Sequence, residues 1–166
     1  MFGLFFFIFT SKMISEKLKA GRYERIYSQI SELLQKSPGF DSRLATINAV
    51  LYHKVSYIFW VGFYLLQNNR LCVSSYQGPL ACQELEYPKG VCWHSIIHSK
   101  SVIVPDVSQF PDHITCDSRS KSEIVVPLIS AQQEIIGVLD VDSDEAEAFD
   151  KVDEIWLKRI TGLVFQ

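Results

Sequence analysis

Apolar positions fall into two textures along the chain. Over residues 15–35, Leu18, Tyr23, Ile26, Tyr27, Ile30, Leu33 and Leu34 recur close to the spacing of one helix face. Ser37-Pro38-Gly39 stops that segment, and Asp41 is placed to cap a second helix through Leu44, Ile47, Val50 and Leu51. From Ser56 the pattern turns to β. Residues 58–66 are aromatic and β-branched, and Gln67-Asn68-Asn69-Arg70 turns them into a second run at 71–77. Shorter β runs follow at 101–104, 124–129 and 135–141, the last two joined by a turn near 132–134. A closing helix is expected over 149–164, led in by Asp150 or a neighbouring cap. Helices, a strand meander and a final helix predict an α+β domain: an antiparallel sheet with helices on one face.

Residues 78–123 break that rhythm and read as a long, loop-rich excursion. Loops of that length in compact domains tend to be functional or disordered. This one carries Trp93, Val102, Val104 and Phe110, enough apolar mass to fold down over something.

A chain of 166 residues suits one domain with a substantial core. The net charge of -3, with no stripe of Lys and Arg, argues against a nucleic-acid binder. Residues 2–9 (FGLFFFIF) are apolar but far short of the roughly 20 residues of a membrane span. They also lack a positive flank and a cleavage site. Residues 1–12 therefore read as an extension that need not belong to the working protein, with packing or weak membrane contact as the alternative. Residues 13–166 read as a single domain. Without a secretory signal, the four cysteines fit a reducing, cytoplasmic setting better than a disulfide framework.

Cysteine placement narrows the chemistry. Cys82, Cys92 and Cys116 each stand in a polar or Gly-containing stretch, at 77–83, 89–94 and 113–123, and read as accessible thiols. Three such thiols suggest one that reacts and others that resolve its oxidised form. Cys72, within Leu71-Cys72-Val73, reads as a buried structural thiol.

Strand alternation adds candidates for a pocket. Trp60, Gly62 and Tyr64 share a face, the glycine leaving a notch between two rings; two core aromatics with a close-packing glycine have the same pattern. Ile136, Val138, Asp140 and Asp142 share a face of the 135–141 strand and its end, so two carboxylates continue an apolar surface. Crowded carboxylates raise each other's pKa and suit an amine, a metal or proton transfer; a solvated Asp-Ser-Asp turn is the plain alternative. Glu123 closes the segment holding Cys116 and can reach the same cavity. Cys82, Cys92, His94, His98, His113 and Cys116 form a scattered zinc set without the short paired spacings of structural sites. No Gly-rich phosphate loop or GxSxG elbow is present.

The segments WVGFYLL (60–66), YQGPLACQ (76–83), KGVCWHSI (89–96), VPDVSQFPDHITCDSRSKSEIVVPL (104–128) and IIGVLDVDS (135–143) together resemble the free methionine-(R)-sulfoxide reductases, a GAF-domain family. The likeness runs from about Met13 to the C-terminus, and HITCDSRSKSEIV is its most specific part. The resemblance implies a GAF-like six-stranded antiparallel sheet with helices packed on one face, in a homodimer. It implies thioredoxin-dependent reduction of the free R-sulfoxide, a defence against oxidative stress that needs no cofactor or metal. By the same resemblance Cys116 is the nucleophile, and Cys92 and Cys82 resolve it. Trp60 and Tyr64 wall the methyl-sulfur end, while Glu123, Asp140 and Asp142 hold the amine and polarise the sulfoxide. The chain departs from the family pattern at Pro79, Trp93, Asp112 and Thr115, which bears on loop mobility and kinetics. A non-catalytic GAF sensor for a small ligand is the other reading of the same fold.

Overall fold

In the computed structural model, residues 2–37 and 39–166 are described, with side chains from Ser15 onward. The first helix, α1, is Phe2–Leu34, longer than the amphipathic segment expected; the side chains bearing on the reading of residues 1–12 lie outside those described. Pro38 of the proposed helix stop also lies outside. No helix among the described residues is long and apolar enough to cross a membrane.

α2 (Phe40–Lys54) starts from Gly39 without a side-chain cap. Asp41 sits inside its first turn and acts there through its charge on the helix dipole rather than as the expected cap. β1 (Trp60–Gln67) and β2 (Arg70–Gln77) form a hairpin whose two turn residues, Asn68 and Asn69, both have positive φ, as the twist of a two-residue hairpin requires.

The expected loop excursion is instead built from short elements. β3 (Glu84–Leu85), α3 (Gly90–His98), β4 (Val102–Val104) and a helical turn at Val107–Gln109 occupy it. Two-residue β3 is too short to show alternation. α3 buries Gly90, Val91, Cys92, Trp93 and Ser95, a face that mixes small and polar residues and so lacks an apolar stripe.

β5 (Ser122–Ile129), β6 (Ile135–Ser143) and α4 (Lys151–Thr161) complete the chain. Asp150 caps α4 as expected and forms a reciprocal capping box with Asp153. The sheet has six strands in the order β3-β2-β1-β6-β5-β4, and every neighbouring pair is antiparallel.

Period-2 alternation splits the sheet between two cores. Val61, Phe63, Leu139 and Val141 face the layer of α1, α2 and α4. Trp60, Tyr64, Val125 and Val138 face the other way, under α3. Near the irregularity at Leu128/Ile129, Ile136 packs with the first core instead of continuing the face of Val138. The helical layer is fastened by fully buried Asp153, which accepts from Tyr23 and Tyr57 at 2.8 and 2.6 Å and pairs with Lys19 of α1.

Candidate active site

Register assembles the site on the sheet face beneath α3. Asp142 is paired with Trp60 on one side and with Glu123 on the other, and Asp140 is paired with Gly62 and Val125. Paired residues on neighbouring strands project from the same face. Trp60, Tyr64, Glu123, Asp140 and Asp142 accordingly line one pocket of about 50 Å³, together with Cys92 and Cys116. Seven of the eight site residues named from sequence thus line a single cavity. The eighth, Cys82, reaches it through its bond to Cys116.

The aromatic wall differs from the expected notch. A Cβ on Gly62 would lie 2.4 Å from the Trp60 ring, so the indole itself lies across the glycine. It stacks on Tyr64 and Tyr76, with centroids 5.9 and 5.6 Å away. The glycine makes room for the ring rather than for a ligand. The Trp60 indole N–H donates to the Pro79 carbonyl at 3.1 Å, and the Tyr64 hydroxyl donates to the Cys82 carbonyl at 3.1 Å. The wall thereby holds the backbone that carries Cys82.

The Cys116 segment is clamped over the other side of the pocket. His113 Nε2 lies 3.1 Å from Glu123 Oε2, and the Ser120 hydroxyl donates to Asp142. Arg119 pairs with Asp117 at 2.8 Å and lies over the Phe59 ring at 4.7 Å. Asp112, at φ 53°, adopts the left-handed conformation that Asp tolerates better than most residues. Cys116 itself is exposed and is disulfide-bonded to Cys82, with Cα atoms 5.4 Å apart.

Cys92 corrects the picture of three accessible thiols. It lies in the first turn of α3, only 3% exposed, against Asp140 and Glu123. Burial and the neighbouring carboxylates push its thiol well above the ordinary range, so it stays protonated beside Asp140. Trp93, next to it, donates its indole N–H to the Leu85 carbonyl at 2.9 Å and packs edge-on to Tyr87. That contact ties α3 to β3. Cys72 is half-buried rather than fully buried, and unbonded.

Burial raises the pKa of each acid. Glu123 and Asp140 are pushed well above the carboxylate range by burial first and by neighbouring carboxylates second. Asp142 is pushed up to about 6 by burial, a rise moderated by the Ser120 hydroxyl and His113. Carboxyl oxygens of Glu123 and Asp140 lie within 4.8 Å of each other in this buried setting. Two buried carboxyl groups that close ionise together only at a large electrostatic cost, so one keeps its proton. The pocket therefore retains a neutral acid near neutral pH. Burial lowers the His113 pKa, leaving a neutral imidazole against Glu123.

Sequence reasoning did not assign His113 or Ser120 to the site, though both flank Cys116 within HITCDSRS. Their spacing to Cys116 was visible; their acid partners depend on the register of β5 and β6. The scattered zinc set does not assemble, since His94 and His98 stack on each other, 4.1 Å between centroids, outside the pocket.

Sheet order, the helical layer behind it and the pocket in front define a GAF domain. A GAF domain family model matches residues 54–165. The chain is 45% identical over 152 residues to GAF domain-containing protein A of Dictyostelium discoideum, covering 91% of this chain and 95% of that protein. It is 36% identical to the free methionine-R-sulfoxide reductase of Escherichia coli, covering 84% of each. The structure superposes on the Neisseria meningitidis free methionine-R-sulfoxide reductase in complex with its substrate with a TM-score of 0.83, at 38% identity, covering 88% of this chain and 87% of that one. Within the GAF domains, the chain belongs to the free methionine-R-sulfoxide reductase family.

Proposed function

We propose that the chain reduces free L-methionine-(R)-S-oxide to L-methionine. The observation that carries this reading is the placement of Cys116, bridged to Cys82 at the edge of a pocket whose floor carries the close, buried Glu123–Asp140 acid pair. Trp60 and Tyr64 provide an apolar wall for the methyl-sulfur end. The acids provide negative charge for the free amine and a proton for the sulfoxide oxygen.

The neutral acid protonates the oxygen, which makes sulfur electrophilic. The Cys116 thiolate attacks that sulfur, methionine departs, and the oxygen stays on Cys116 as a sulfenic acid. The Cys82 thiol displaces it as water and forms the disulfide. An external dithiol, for which thioredoxin is the family's usual choice, supplies two electrons and two protons, reducing the bridge to two thiols and leaving as its own disulfide. Cys82 is the first resolving thiol because it is already within bonding distance, whereas Cys92 is buried on a helix fastened through Trp93. Residues 13–166 act as one domain, in a cytoplasmic homodimer serving the oxidative-stress response. The scheme uses no metal or organic cofactor.

The test is a stereospecific assay on free R- and S-sulfoxide with dithiothreitol or thioredoxin. Turnover of the R form alone, abolished by Cys116→Ser and starved of thioredoxin recycling by Cys82→Ser, is the expected result. No turnover of either form, with ligand binding intact in Cys116→Ser, would instead make the chain a small-ligand sensor.

A further inference from the structure

Cys92, Glu123 and Asp140 enter the pocket from three separate elements, α3, β5 and β6. One ligand atom of each lies within 4.8 Å of the other two. All three side chains are buried, and Asp140 Oδ1 has no hydrogen-bond partner in the protein although the residue is only 7% exposed. A buried carboxylate oxygen left without a donor is unfavourable, and a cation in the pocket would satisfy it.

The donor chemistry narrows the ion. Magnesium and calcium take oxygen ligands and have no use for a thiolate. A copper(I) or iron–sulfur site draws on several sulfurs. One thiolate with two carboxylates suits a borderline divalent cation of the zinc class. Ligand atoms around such an ion stand roughly 3.5 Å apart, so the three groups need only a modest contraction from their present spacing. His113 holds the Glu123 Oε2 at 3.1 Å, which orients that carboxyl from outside the cluster.

We propose that Cys92 Sγ and the carboxylates of Glu123 and Asp140 bind a zinc-class divalent cation, and that the bound ion excludes the sulfoxide substrate from the pocket. The Cys92 S–H bond breaks as the metal–sulfur bond forms, its proton and the one retained by the Glu123–Asp140 pair leave to solvent, and no electrons move. The Cys82–Cys116 bridge leaves Cys92 free, so the site exists in the oxidised protein. Exclusion of substrate rests on the reductase reading; cation binding does not.

The experiment titrates the bridged full-length protein with Co²⁺ alone. One equivalent should bind with sulfur-to-cobalt absorption in the near ultraviolet, and Zn²⁺ should displace it. Cys92→Ser should abolish the absorption, while Cys72→Ser, which removes the other free thiol, should leave it unchanged. Asp140→Asn tests the site without touching a thiol and should weaken binding roughly tenfold or more with an unaltered circular dichroism spectrum. Absence of binding in the unaltered protein, or absorption surviving Cys92→Ser, overturns the metal site. Free methionine-R-sulfoxide should release the cobalt. Cobalt that stays bound at saturating sulfoxide overturns the exclusion of substrate. Normal turnover with no cobalt signal rejects the metal site and leaves the reductase reading standing.

Discussion

Glu123 on β5 is paired directly with Asp142 on β6, and both carboxyls turn into the pocket that holds Asp140. Three acids in such proximity, two buried and Asp142 half-buried, cannot all ionise without a large electrostatic cost. The protons they retain link the chemistry of the site to the stability of the fold.

Asp142 gives that link a sign. Its pKa of about 6 in the folded protein stands above the ordinary 3.8. Between those values the folded chain binds more protons than the unfolded one, so stability falls as pH rises through the window and stays lowered above it. Asp142→Asn removes the charged form. Its melting temperature should exceed that of the unaltered protein near pH 8, with the difference shrinking towards pH 4. A difference that does not vary with pH would contradict the assignment.

Glu123→Gln keeps the shape of the side chain but removes its acidic proton. Activity on the free R-sulfoxide should fall by about 10²–10⁴ in kcat, the range for a lost general acid, with a smaller change in KM. Steady-state kinetics separates this from a binding defect, which would raise KM and spare kcat.

Gly137 allows β6 to approach β1 closely. A Cβ there would lie 2.2 Å from the Tyr64 carbonyl oxygen, a backbone atom that cannot step aside. Gly137→Ala should cost about 1–3 kcal/mol in urea denaturation, as overpacking does. Gly62→Ala should instead push the Trp60 ring aside, so its larger effect should be on KM.

Lys19→Met strands the buried Asp153 carboxylate between Tyr23 and Tyr57. Removing one partner of a buried ion pair costs about 3–5 kcal/mol. Urea denaturation should show that loss, while the pocket, on the opposite side of the sheet, keeps its ligand affinity.

Much of this site could be read from alternation alone. Trp60 and Tyr64 against Val61 and Phe63, and Asp140 against Leu139, sort correctly onto two faces because a strand's period is fixed by its backbone. α3 could not be read this way. Its buried face includes Gly90, Cys92 and Ser95, so packing against the sheet, rather than an apolar stripe, holds it helical. Cys92 looked accessible for the same reason. The grip of His113 on Glu123 and of Ser120 on Asp142 spans 10 and 22 residues, and arises only when the strands choose their register.

The Cys82–Cys116 bond joins residues 34 apart and encloses α3 and β4. Closing a loop of that length restricts the unfolded chain by about 4 kcal/mol on the chain-entropy account. The bridged molecule is thus the harder one to unfold, and reduction returns it to a softer form. Proteases that act on transiently unfolded chains would draw mainly on the reduced pool. Scarcity of reductant would then lengthen the protein's lifetime while it lies idle, leaving a stock ready when electrons return.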